Sequence, residues 1–153
     1  MNDTLKVKGL ISLELTDKDG NLKDKRLIKN TITNAGLAQI ALLAGDASAV
    51  PFTFLALGTG TTAAAATDTT LVTESSASGL ARAAATVTRV TTTVANDTLQ
   101  LVKTFTAGAS AAITEAGIFN DATTGTLLGR QVFSAVNVAS GDTLAITYKV
   151  SFA

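Results

Sequence analysis

From Leu144 to Ala153 the chain alternates without a break. Leu144, Ile146, Tyr148, Val150 and Phe152 share one parity; Ala145, Thr147, Lys149, Ser151 and Ala153 share the other. Successive strand side chains point to opposite faces, so this period of two specifies a half-buried β-strand rather than a helix. A strand with one dry face needs neighbours on both edges and a second layer over that face.

The same signal recurs upstream in weaker form. Leu5, Val7, Ile11, Leu13 and Leu15 alternate with Lys6, Lys8, Ser12 and Glu14, and Gly9 marks a bulge or a close backbone approach. Asp17-Lys-Asp-Gly-Asn supplies a turn, and Leu22–Ile28 a return strand that completes a hairpin. Phe52–Leu57 is apolar on both parities, as in a strand covered on both faces. Thr86–Val94, a strand through Leu99, Leu101 and Phe105, then Ala112–Phe119, Leu127–Phe133 and Val136–Val138 follow, separated by turns at Asn96-Asp97, Asn120–Gly125 and Ser140-Gly-Asp. Residues 58–68 and 75–79 read as loops. One helix is expected near 34–44: Thr33 or Asn34 caps it, Leu37, Ala38, Ile40, Ala41 and Leu43 form its apolar face, and Gly45 ends it. At that length it must pack on a sheet to be stable. The expected fold is mainly β, an antiparallel β-sandwich or jelly-roll-like barrel with one short helix and an N-terminal hairpin or arm.

Charge is unevenly placed. Lys6, Lys8, Lys18, Lys23, Lys25, Arg26 and Lys29 with Asp3, Glu14, Asp17, Asp19 and Asp24 put half of the charged side chains into residues 1–30. That segment reads as a charged hairpin or arm joined to a nearly neutral body over 31–153. Only 16% of the whole chain is charged and its net charge is zero, against about 25% in ordinary soluble domains. So little charge favours self-association. It gives no electrostatic case for nucleic acid or an anionic membrane. The apolar stretch around Ala35–Ala44 is far shorter than the roughly 20 residues that span a bilayer. The N-terminus lacks the apolar core of an export signal, so use without export by its own signal is expected.

Candidate chemistry is sparse. The chain has no His and no Cys, which removes the commonest general base, thiolate metal sites and disulfides, and no cofactor or metal is expected. One Tyr and no Trp argue against a sugar-binding sandwich. Gly58-Thr-Gly60 lacks the later Gly and the Lys-Ser/Thr of a phosphate loop and reads as a tight turn. Asp17-x-Asp19-Gly20-Asn21 has neither the glycine position nor the closing Glu of a calcium loop, since Ile28 stands where that Glu would be. Glu115, in an apolar run, needs a cation or several amides if it is buried. A structural role is expected, paired with Arg130 or Arg89 or capping a turn, and Glu74 with Arg82 forms a second candidate ion pair.

Taken in order, Asn30-Thr-Ile-Thr-Asn-Ala-Gly, Phe52-Thr-Phe-Leu-Ala-Leu-Gly-Thr-Gly, Thr67-Asp-Thr-Thr-Leu, Glu115-Ala-Gly-Ile-Phe and Gly141-Asp-Thr-Leu-Ala-Ile-Thr-Tyr resemble a group of small structural proteins of tailed-phage virions. The resemblance runs from Asn30 to the C-terminus and has two branches, head decoration (cement) proteins and tail collar or fibre-attachment proteins. Because the chain stops at Ala153 with nothing left to form a shaft, the decoration branch is expected. That branch implies a non-enzymatic homotrimer on the outer surface of the capsid head, made in the host cytoplasm, with the major capsid protein as partner and no small-molecule substrate. From charge density alone, the N-terminal arm is expected to touch the shell or a neighbour through Leu5, Val7, Ile11, Leu13, Lys23, Lys25 and Arg26.

Overall fold

The computed structural model describes residues 4–153; Asp3 and the two residues before it lie outside them. The chain is mainly β. It forms strands β1 (Val7–Thr16) and β2 (Leu22–Ile32), helix α1 (Asn34–Gly45), then β3 (Phe54–Gly58), β4 (Ala83–Ala84), β5 (Thr86–Val90), β6 (Thr98–Thr106), β7 (Ala111–Phe119), β8 (Leu127–Val138) and β9 (Thr143–Phe152). All pairings are antiparallel, in the order β4-β3-β7-β8-β2-β1-β9-β6-β5.

Two segments fold this ribbon into a nearly closed, flattened barrel. β2 pairs with β1 as far as Asn30, then turns to pair Thr31 and Ile32 with Arg130 and Gly129 of β8. β4 and β5 form the other corner: Ala83 and Ala84 pair with β3, the Ala85 amide donates to the Thr53 carbonyl, and Thr86–Val90 pairs with β6. Both ends of the ribbon therefore sit on one short stretch of chain, which removes most of the exposed sheet edge.

The alternating positions fill the interior. Ile11, Leu13 and Leu15 of β1 meet Leu144, Ile146, Tyr148 and Val150 of β9, with Leu55, Leu57, Ile113, Ile118 and Val136 opposite. Each such aliphatic side chain contributes about 1.5–3 kcal/mol by leaving water. β3 is covered on both faces as expected, because Ala56 on its outer side packs with Leu71, Phe119 and Leu127 beneath the 59–82 loop. Tyr148 is the exception in chemistry. It is fully buried, burial pushes its phenol well above the ordinary range, and its hydroxyl has no hydrogen-bond partner among the described residues. An unpaired buried hydroxyl costs stability, so Tyr148→Phe should leave the fold as stable or raise it by up to about 1 kcal/mol. Urea unfolding of the two proteins decides it, and a clear loss in the variant would mean that the hydroxyl is hydrogen-bonded, for instance to a buried water.

Three expectations need correction. The N-terminal hairpin exists, but it is no arm: β1 lies between β2 and β9 with Ile11 and Leu13 at 0% exposure, because its apolar parity is half of the core. Leu127–Val138 is one strand rather than two, since the Ser134-Ala135 break is an irregularity within it opposite Thr114 and not a turn. Helix α1 buries only Gly36 fully, and leaves Leu37 and Leu43 of the expected apolar face 44% and 36% exposed. Its first turn docks closely on β8 through Gly36, and beyond it Ile40 is the large side chain that packs against the core. Among the described residues no helix is long and apolar enough to cross a membrane.

Candidate functional site

The sequence segments that stood out converge on the start of β8. Thr33 ends β2 and caps α1: its Oγ1 accepts the Gly36 amide at 2.9 Å and donates to the Leu127 carbonyl, while its own amide donates to Leu128. The Asn34 amide donates to Ala66 at 2.8 Å, which ties the helix start to the long loop. β7 carries Glu115-Ala-Gly-Ile-Phe between β3 and β8, so Glu115 faces Gly58 in register.

At the centre, Glu115 and Arg130 are both fully buried and meet at 2.8 Å between Oε2 and Nε. Glu115 Oε1 also accepts the amides of Gly60 (3.0 Å) and Thr73 (2.7 Å), and Oε2 accepts that of Val72 (3.1 Å). Arg130 also donates through Nη1 to Asp68 Oδ2 (2.7 Å) and through Nη2 to the Thr62 carbonyl (2.8 Å). Asp68 in turn accepts the Ala65 amide, and the Thr114 hydroxyl donates to the Gly60 carbonyl. Of the Gly58-Thr-Gly60 segment, the Gly60 amide reaches the Glu115 carboxylate, while the Thr59 amide donates to the Thr73 carbonyl at 2.9 Å. Glycine is required by space: a Cβ on Gly58 or Gly60 would lie 2.5 Å from Glu115 Oε1.

Burial alone pushes the Glu115 carboxyl up. The Thr73 amide, the Arg130 guanidinium and the Val72 amide outweigh it and hold the group below the usual carboxylate range. Asp68 behaves likewise through the Ala65 amide and Arg130, and the two carboxylates raise Arg130 against its own desolvation. With both oxygens spent on four donors and no surface exposed, Glu115 has no free lone pair to offer a substrate. The assembly therefore pins a loop. A second pin holds the other end of that loop: Arg82 pairs with Glu74 at 2.7 Å, stacks 3.5 Å above the Phe119 ring and donates to the Asp121 and Thr124 carbonyls.

The expected contact residues of the N-terminal segment scatter. Leu5 is 68% exposed and Val7 is half-buried, but Ile11 and Leu13 are core. Lys23 binds Asp142 at 2.6 Å. Arg26 pairs with Asp24 at 2.7 Å and donates to the Ser134 and Ala135 carbonyls, so it fastens β2 to β8. Lys25, 3.5 Å from Glu14 and mostly exposed, remains at the surface together with Leu5. Asp17 is consumed by its own turn, accepting the Asp19 and Asn21 amides.

Sequence reading missed Asp68 as the third member of the buried network, since nothing local sets it apart from any loop acid. It also missed the apolar surface of α1, which continues through Leu43 and Ile40 into a groove of about 290 Å³ lined by Phe52, Val87, Leu99 and Phe152. No protein-family model, no curated protein and no solved structure matches the chain.

Proposed function

We propose that this chain is a non-enzymatic structural protein of a tailed-phage virion, a head decoration protein that binds the outer capsid surface as a homotrimer and stabilises the shell. The observation that carries the self-association in this reading is the uncovered apolar surface of α1. Leu37 and Leu42 are 44% and 47% exposed, Leu43 lines the neighbouring groove, and Val50 beside the helix is 53% exposed. Large apolar side chains left exposed on and beside one short helix suit an interaction site. The virion assignment rests on the sequence resemblance. A rigid barrel with pinned loops suits a clamp: each subunit contact is modest, and trimerisation links several of them into avidity.

Light scattering of the purified chain should give three times its 15.5 kDa mass. Leu37→Glu/Leu42→Glu should reduce that to one chain mass while the circular dichroism stays β. A wild-type monomer at tens of micromolar would sink the clamp. The copy number in purified particles, measured by quantitative mass spectrometry against the major capsid protein, then tests the location. Hundreds of copies accord with decoration; a few dozen or fewer would replace it with the collar or fibre-attachment reading.

A further inference from the structure

We propose that the cleft where β2 leaves β1 binds the carboxylates of an acidic segment of a partner protein. The inference is independent of where the protein works. The pairing of β1 with β2 ends at Gly9 and Asn30, after which β2 diverges toward β8. The divergence opens a cleft of about 520 Å³, lined by Lys8, Leu10, Lys29, Lys149 and Ser151 among others. Register sets the three lysines around one point. Leu10 faces Lys29 on one side and Lys149 on the other, and Lys8 lies one strand period from Leu10 on the same face. Across two strand spacings the Cα atoms of Lys29 and Lys149 stand roughly 10 Å apart.

Among the described residues no carboxylate comes within 4.0 Å of these three lysines. Glu14, further along the same face of β1, is taken by Lys25. Asp97 lies beside Thr92 and Thr98 at the rim, and its oxygens are spent on the amides of Thr92, Thr93 and Val94. Three like charges on one sheet face repel one another, and a bound anion removes that cost. The Asn30 side chain is no part of this surface: Asn30 pairs with Gly9 and shares the inner face with Ile28, and its amide lies against Gly9 and Gly129, away from the lysines.

The occupant follows from what lies between the charges. Leu10 puts apolar surface among the ammonium groups, which suits a peptide carrying both carboxylates and aliphatic side chains. Nucleic acid is disfavoured: the cleft has no arginine and no aromatic side chain on which a base could stack.

The test is a titration of hexaglutamate into the isotope-labelled full chain at low salt, followed by NMR. Shifts should concentrate at Lys8, Leu10, Lys29 and Lys149, and should weaken as salt rises. Lys8→Glu/Lys29→Glu/Lys149→Glu should lower the affinity by about tenfold or more, while Lys18→Glu at the hairpin tip leaves it unchanged. The Gln triple variant serves the same purpose should the Glu variant not fold. Shifts spread evenly over all lysines, no shifts, or a triple variant that binds as well as wild type would overturn the proposal. So would inorganic phosphate binding as tightly as the peptide, which would make this a small-anion site, or tighter binding of a thymidine oligonucleotide.

Discussion

Arg130→Met is expected to cost about 3–5 kcal/mol, because it leaves Glu115 as an uncompensated charge with 0% exposure. The guanidinium is the single link between two carboxylates and the Thr62 carbonyl, so its loss also frees the 59–74 loop from β8. Amide hydrogen exchange should therefore rise at Gly60, Val72 and Thr73, the three amides that Glu115 holds, ahead of the barrel strands. Glu115→Leu alone should be comparably damaging, since it strands a buried guanidinium and three amides. Buried ion pairs are weak sources of net stability when replaced whole by apolar groups. Glu115→Leu/Arg130→Met should accordingly recover part of the loss, and chemical denaturation of the four proteins gives the coupling.

The same pair fixes how stability depends on pH. The Glu115 carboxyl lies lower in the folded chain than its ordinary value of 4.5. Its contribution is then complete above that value and disappears as pH falls through the lower, folded one. The gap between wild type and Arg130→Met should be widest near neutrality and narrow below about pH 4.5. A gap that stayed constant down to pH 2 would mean that Arg130 acts through packing alone.

How much of this was legible depends on the range of each interaction. β9 could be read residue by residue because one face is wet and one dry along its whole length. The β1 alternation was equally clear, yet the density of lysines around it suggested an arm. The strand is central because polar residues on one parity say only which face is wet, not how many neighbours the edges have. Glu115 announced itself as a carboxylate in an apolar run, and Arg130 was one of two candidate partners. Asp68 was not legible, because 62 residues separate it from Arg130 and nothing local distinguishes it from any loop acid. The cleft lysines come from three strands and share no sequence window. The helix was correctly placed but wrongly faced: periodicity marks which residues are apolar, and the tightest contact was made by the glycine.

That glycine carries the second large expectation. Gly36→Ala should destabilise the protein by about 2 kcal/mol or more, although alanine is the better helix former by about 1 kcal/mol. A Cβ there would lie 2.5 Å from the Leu128 carbonyl oxygen and 2.7 Å from its Cα. Both are backbone atoms of a strand paired on both edges, so neither can swing aside. The helix must lift instead. Lifting strains the Thr33 cap and the Asn34 amide bond to Ala66, and withdraws Ile40 from the core it packs against. The opposite end of the same helix supplies the control. Gly45 has nothing within 4 Å of its would-be Cβ and is the last helical residue, so Gly45→Ala should be neutral or stabilising by up to about 1 kcal/mol. Thermal or urea denaturation of the two single variants separates propensity from packing by sign. Should Gly36→Ala stabilise the chain as Gly45→Ala does, α1 would not be docked on β8 through its first turn, and the apolar surface assigned to self-association would have to be redrawn.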